Sequence, residues 1–334
     1  MNDQTYLQTS PKIYGTLLAT AVISYASWLA IEHILFKDTN SPASNSKSQA
    51  KLITSMFRSW FSSTPAKFLQ DSDKQYEVPL IEREEVSHDT RRFRFGLTNK
   101  NQVLGLPIGK HVHLFATING EEVKRAYTPV SSDDDKGYVE FVIKVYFKNV
   151  HPRFPDGGKM SQHLESLKLG DTIKIRGPSG RLEYHGKGNL QIKETPSSPV
   201  KERHVKRLSM IAGGTGIAPM LQLIRDVLKK SDIDKTKMSL LFANQSEKDI
   251  LLRQELETEA ARHPDQLKIW YTVDRAEEGW KYSAGFVSKE MIKDHLYSPD
   301  EETFILMCGP PPMIKHVNSQ LDELGWPMEN RFKY

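Results

Sequence analysis

The hydrophobic rhythm of this chain changes once, near Leu208, and that change limits it to two different sheets in succession. From Tyr76 onward, apolar and polar residues alternate in period two, as in Tyr138-Val139-Glu140-Phe141-Val142-Ile143-Lys144-Val145-Tyr146-Phe147. Turn clusters punctuate the alternation at Asn119-Gly120, Asp133-Asp134-Asp135-Lys136-Gly137 and Pro178-Ser179-Gly180. The pattern predicts antiparallel strands, with one short helix at Lys159 to Leu167 and a small barrel as the closure. After Leu208 the strands become predominantly apolar: Leu208 to Ala212, Met238 to Ala243, Leu267 to Val273 and Phe304 to Met307. Helical patterns such as Met220, Leu221, Ile224, Val227 and Leu228 separate them, which predicts a parallel sheet wrapped by helices. The expected fold class is therefore a two-domain α+β and α/β chain. An antiparallel β-barrel occupies 76–187, a linker containing Thr195-Pro196-Ser197-Ser198-Pro199 occupies 188–207, and a parallel α/β domain occupies 208–334.

Composition is needed only to exclude alternatives. The 334 residues suffice for two cores and an appendage, and 26% charged with 38% hydrophobic residues is a globular mixture. A net charge of +4 without an aromatic-studded basic stripe argues against nucleic acid. Cys308 is the only cysteine, so neither an intrachain disulfide nor a multi-cysteine metal site is possible; no metal is expected and a reducing compartment fits.

The amino end differs in kind. Ile13 to Ile31 holds no charged residue and, at roughly 1.5 Å per helical residue, covers most of a hydrocarbon core of about 30 Å. It is read as an uncleaved transmembrane anchor within 1–36, because Glu32-His33-Ile34-Leu35-Phe36 offers no small-residue cleavage site. Lys37, Lys47, Lys51 and Arg58 after the span place the bulk of the chain in the cytosol. A polar spacer and amphipathic segment fill 37–75, where Leu52, Ile53, Met56, Phe57, Trp60 and Phe61 recur at helical spacing. That helix suits either a membrane interface or packing on the folded domain.

Four segments carry chemistry: Arg125-Ala126-Tyr127-Thr128, Gly157-Gly158-Lys159-Met160-Ser161, Gly213-Gly214-Thr215-Gly216-Ile217-Ala218-Pro219-Met220 and Cys308-Gly309-Pro310-Pro311-Pro312-Met313. Wound parallel sheets bind ligands beyond the carboxyl ends of their strands, where Gly213, Asp274 and Cys308 fall. The glycine loop lacks the third glycine of the usual dinucleotide fingerprint, but it lies between a predicted strand and a helix with Pro219 near its start.

Together with the blocks Ser87 to Phe95 and Leu241-Phe242-Ala243-Asn244-Gln245, these segments resemble the ferredoxin reductase superfamily and, within it, the NADH-cytochrome b5 reductases. The likeness runs from about Tyr76 to Tyr334. It implies FAD as cofactor and NADH as co-substrate. Arg125 would pair with the FAD pyrophosphate, Tyr127 and Thr128 would contact the isoalloxazine and ribityl side, and Ala126 stands where the family usually has Pro. Val142, Lys144 and Phe147 match flavin-site positions, and Gly158, Lys159, Met160 and Ser161 open a helix toward the phosphates. Gly213, Gly214, Thr215, Gly216, Ala218 and Pro219 would hold the second dinucleotide, with Ala218 replacing the family's usual Thr. Asp274 would accept from a ribose 2′-hydroxyl, favouring NADH over NADPH. Cys308, with Gly309, Pro310 and Met313, would adjoin the nicotinamide, and His111, Thr128 and Ser161 would form a hydrogen-bond chain near the flavin. The catalytic set implied is thus Cys308, Lys144, His111, Thr128 and Ser161.

The implied partner is cytochrome b5 or a similar acidic haem protein, docked by Lys148, Arg153 and Lys159. The implied location is the endoplasmic reticulum or outer mitochondrial membrane, with the catalytic domain cytosolic. Two alternatives stay open: a reductase for a quinone or small oxidant, and a tethered nucleotide-binding redox sensor without turnover.

Overall fold

Residues with alternating polarity pair where one face can be buried, and the first half of the chain follows that rule. The computed structural model describes residues 65–150 and 155–334, so the expected anchor at Ile13 to Ile31, the segment up to residue 64 and Arg153 lie outside the described residues. Strands β1 (Tyr76–Ser87), β2 (Thr90–Gly96), β3 (His111–Ile118), β4 (Glu121–Tyr127) and β5 (Tyr138–Lys144) precede helix α1 (Lys159–Ser166) and strand β6 (Thr172–Ser179). They form one antiparallel sheet in the order β4-β3-β6-β1-β2-β5. One face of it buries Val78, Leu80, Phe93, Phe95, Leu114, Phe141 and Ile175, and α1 adds Met160 and Leu164 to that core.

No ladder joins the edge strands β4 and β5. The barrel expected from the alternation is thus closed by side chains rather than by backbone: the rings of Tyr127 on β4 and Phe141 on β5 meet edge to face, 6.3 Å between centroids.

The stretch expected as a linker is structured. β7 (Leu182–Tyr184), β8 (Asn189–Ile192) and β9 (Lys201–His204) make a three-stranded antiparallel sheet, with Ile192 opposite Lys201. The Pro and Ser residues at 195–199 therefore form the loop of a hairpin, a role that the same residue types fill as readily as that of a tether.

The second rhythm builds what it predicts. Strands β10 (Arg207–Gly213), β11 (Lys237–Asn244), β12 (Leu267–Val273), β13 (Ser283–Ala284), β14 (Thr303–Cys308) and β15 (Arg331–Lys333) lie parallel in the order β13-β12-β11-β10-β14-β15. Helices α2 (Ile217–Lys229), α3 (Arg253–Arg262), α4 (Lys289–His295) and α5 (Pro311–Glu323) connect them. The central strands are apolar because both of their faces are covered: β10 and β11 are buried along most of their length. No helix among the described residues is long and apolar enough to cross a membrane.

The folded unit begins earlier than residue 76. Lys67 bridges Val103, the amides of Phe68 and Leu69 donate to the carbonyls of Val103 and Leu104 at 2.8 and 3.1 Å, and both side chains belong to the core of the first sheet. Alternation could not reveal this, since a single bridge has no period. A fragment of residues 65–334 should therefore fold as a stable unit. One of residues 71–334 should lose about 4 kcal/mol or more, the scale of deleting a buried Phe and Leu. Urea unfolding of the two fragments checks this, and equal midpoints would contradict it.

Candidate active-site cleft

The carboxyl ends of β10, β11, β12 and β14 open onto a cavity of about 1370 Å³ whose other wall is the first sheet. That exceeds the roughly 300–1,000 Å³ of a pocket for one drug-sized ligand. All of the expected site residues except Phe147 line it. Phe147 does not, and Tyr146 stands in its place, two residues on from Lys144 and four from Val142, the spacing that period two selects.

On the first wall, β4 ends in Arg125, Ala126 and Tyr127, followed by Thr128. Arg125 is exposed; its Nη1 donates to the Lys124 carbonyl at 2.8 Å, and no carboxylate among the described residues pairs with it. Burial pushes the Tyr127 hydroxyl up to about 12 against the opposing pull of Arg125, so the ring presents a neutral hydroxyl. Ser161, in the first turn of α1, accepts from the Tyr146 amide at 3.2 Å and donates to the Gly158 carbonyl at 3.2 Å. That occupies its hydroxyl locally. Although His111, Thr128 and Ser161 line the same cleft, no hydrogen bond joins them to one another, so the expected chain is not formed. Burial, with Lys110 and Lys124 adding to it, lowers the His111 pKa and keeps the imidazole neutral.

Lys144 sits at the seam. Its Nζ lies 2.7 Å from Asp89 and 3.6 Å from Asp249, the latter on the far side of the cleft. Burial opposes its charge, but the hydrogen bond and charge of Asp89, together with the charge of Asp249, more than offset this and raise its pKa. A permanently charged ammonium held by two carboxylates ties the walls together.

On the second wall, a single 3-10 turn, Gly214–Gly216, joins β10 to α2. A side chain on Gly216 would overlap the Cys308 carbonyl, so only glycine lets the loop lie against the end of β14. Gly214, at φ +54°, has open space where a Cβ would be. No side chain caps the start of α2, but the Ile217 amide donates back to the Gly214 and Thr215 carbonyls and Pro219 has no amide, so what this wall offers a ligand is the close backbone of the glycine turn. Ala218 lines this wall and is buried, so no hydroxyl stands there. Asp274, just beyond β12, is exposed at the rim; partial burial raises its pKa while Arg275 opposes the shift. Burial pushes the Cys308 thiol up to about 11.

Comparison with known proteins decides the family. Residues 77–184 match the oxidoreductase FAD-binding domain and residues 210–319 the oxidoreductase NAD-binding domain. NADH-cytochrome b5 reductase 2 of Homo sapiens is 57% identical over 267 residues, covering 80% of this chain and 96% of that protein. NADH-cytochrome b5 reductase 3 of Rattus norvegicus is 55% identical over 284 residues, 84% of this chain and 94% of its own. The chain belongs to the NADH-cytochrome b5 reductases. A crystal structure of the cytochrome b5 reductase domain of Ulva prolifera nitrate reductase superposes on this reductase with a TM-score of 0.75 at 43% identity, covering 80% of this chain and all of that one.

The residues present fit both dinucleotides of an FAD- and NAD-binding oxidoreductase. The exposed guanidinium of Arg125 and the start of α1 would suit phosphates on one wall, and the space over Gly214 would let a second dinucleotide lie close to the backbone on the other. Sequence reasoning missed Thr90, Tyr146, Asn244, Asp249, Phe286 and Tyr334, which also line the reductase's cleft. Period two could have pointed to Tyr146. Phe286, at 77% exposure on the rim, and Tyr334, delivered by the pairing of β15 with β14, carried no local signal.

Because a raised thiol pKa leaves the neutral form dominant until higher pH, Cys308 should stay protonated through pH 9. At pH 9.5 iodoacetamide should alkylate it at least about tenfold more slowly than a free cysteine, whose pKa is about 8.5. Mass spectrometry of this single-cysteine chain reads the rate, and a rate already saturated below pH 9 would show that the thiol is not shifted.

Proposed function

We propose that this reductase holds FAD against the first wall of the cleft and NADH against the second, and passes electrons from NADH to cytochrome b5 or a similar acidic haem protein. Bound FAD supplies the chemistry of taking hydride from NADH and releasing electrons singly. The chain supplies position and field. The observation that carries this reading is that Arg125 and the glycine turn Gly214–Gly216 line one cavity of about 1370 Å³ from opposite sheets, a volume beyond that of a pocket for one drug-sized ligand.

Within that cleft, Arg125 neutralises the pyrophosphate of FAD, and Tyr127 and Thr128 bound the ring and its side chain. Cys308, kept neutral by burial, offers the nicotinamide a small polarizable wall rather than a nucleophile. Lys144, braced by Asp89 and Asp249, acts as a positioning residue for the seam. Neutral His111 is suited to passing a proton rather than holding charge. Lys148 is exposed, and Lys159, in the first turn of α1, is exposed with Glu121 3.3 Å away; these two lysines support docking of an acidic partner. The apolar run Ile13 to Ile31 supports anchoring in a membrane, with the cleft on the cytosolic side of the endoplasmic reticulum or outer mitochondrial membrane.

Purified enzyme should be yellow, bleach with NADH and reduce cytochrome b5. Arg125→Ala should lose FAD on gel filtration, its FAD dissociation constant rising about 10-fold or more for a lost bidentate charge pair. A variant that stays fully loaded would remove Arg125 from the site, and a wild type that bleaches without reducing cytochrome b5 would redirect the search to a quinone or small oxidant.

Asp274→Ser should raise NADPH use relative to NADH about tenfold, since a rim carboxylate repels a 2′-phosphate. The ratio of kcat/KM for the two nucleotides measures it. An unchanged ratio would assign the choice to another residue.

A further inference from the structure

Asn244 is the last residue of β11 and lines the cleft, yet it is only 8% exposed and neither its Oδ1 nor its Nδ2 has a hydrogen-bond partner. Among the described residues it is the one side chain with two such atoms. Both atoms are shut off from solvent, so a ligand in the cleft reaches them only when the carboxamide turns toward it; buried polar groups without partners are rare and costly, which favours such a turn once a ligand completes the amide.

Its position says which part of a ligand. β11 lies between β10 and β12, with Ala243 beside Gly213 and Asn244 beside Val273. The Asn244 carbonyl accepts from the Asp274 amide at 3.0 Å. The side chain therefore stands between the glycine loop, suited to phosphates, and Asp274, suited to a ribose hydroxyl. A carboxamide both donates and accepts. Phosphate alone would answer Nδ2 and leave Oδ1 unpaired, whereas a ribose hydroxyl with its neighbouring phosphate answers both.

We propose that Asn244 is a binding residue for the ribose-phosphate segment of the adenosine half of the pyridine nucleotide, pairing through both ends of its carboxamide. The proposal rests on the reading of the second wall as the NADH site. It does not depend on which nitrogen and oxygen of the amide face which way, because both are unpartnered.

The test uses full-length, FAD-loaded enzyme, with Asn244→Leu as the apolar replacement of similar shape and Asn244→Asp as the nearly isosteric one that loses the donor. Titration calorimetry with ADP-ribose should show a dissociation constant raised about 10- to 100-fold in both variants, the loss of two hydrogen bonds. Nicotinamide mononucleotide, which lacks the adenosine half, should be affected by less than about threefold in Asn244→Leu, within the scale of one weak contact. In steady state the change should fall on the KM for NADH more than on kcat. Without nucleotide, the thermal midpoint of Asn244→Leu should equal or exceed that of wild type, because an orphaned dipole has been removed.

A lowered midpoint with unchanged ADP-ribose affinity would overturn the proposal in favour of an internal water held by the amide. Equal losses for ADP-ribose and nicotinamide mononucleotide would overturn the assignment to the adenosine half. Should Asn244→Leu fail to fold, unchanged ADP-ribose binding by Asn244→Asp would sink the idea by itself. A wild type that binds neither ADP-ribose nor NADH would instead defeat the reading of the cleft on which this rests.

Discussion

Val130, Val142, Leu182 and Tyr184 from the antiparallel half are buried in the same cluster as Ile217, Ala218, Met220 and Leu221 from the parallel half, and the cleft depends on that shared packing. Apolar burial is strong but non-directional, so by itself it would let the two sheets slide. Polar contacts set the register. The Gly109 amide donates to Gln222 at 2.7 Å in a buried setting, and Arg225 reaches from α2 to the Val130 carbonyl while pairing with Glu255. Lys144 adds the tie from Asp89 to Asp249. The distance between the two walls is thereby set by the shared core together with these polar ties, of which Lys144–Asp249 lies at the cavity itself.

The electrostatics of the cleft follow from the same burial. Tyr127 and Cys308 have raised pKa values and His111 a lowered one, and in each case desolvation is the leading cause. All three are therefore neutral near pH 7. The formal charges that remain are placed at the periphery or paired: Arg125 exposed on β4, Asp274 at the rim, Lys144 between two carboxylates. A wall of neutral groups suits planar rings without adding a competing charge, which is the contribution expected of a protein whose cofactor carries the chemistry.

Close backbone approach gives the second wall its shape. Gly216 lies against the Cys308 carbonyl and Gly213 against the Met313 sulfur with no room for a Cβ, so the glycine turn, the end of β14 and the start of α5 form one close-packed corner. The two alanines that depart from the family pattern act differently. Ala218 is buried at this corner and presents a methyl group, whereas Ala126 is exposed on the edge strand β4, where backbone stiffness matters less.

Much of this was legible in the chain. Short, mostly apolar runs bounded by turn residues read as strands covered on both faces; β12 occupies Leu267–Val273 as expected, and β10, β11 and β14 differ from expectation by one residue at each end. Glycine-rich segments at strand ends likewise announced the second wall. The tertiary structure alone decided what no local period encodes. Single bridges and two- or three-residue strands brought Phe68, Leu69 and Tyr334 into place, and a hairpin formed where Pro and Ser looked like a tether. The carboxyl end of β11 met that of β12 with the Asn244 carboxamide left unpaired. Period and propensity are properties of neighbours along the chain and so fix elements; desolvation and partnering are properties of neighbours in space, and they exist only once the sheets have packed.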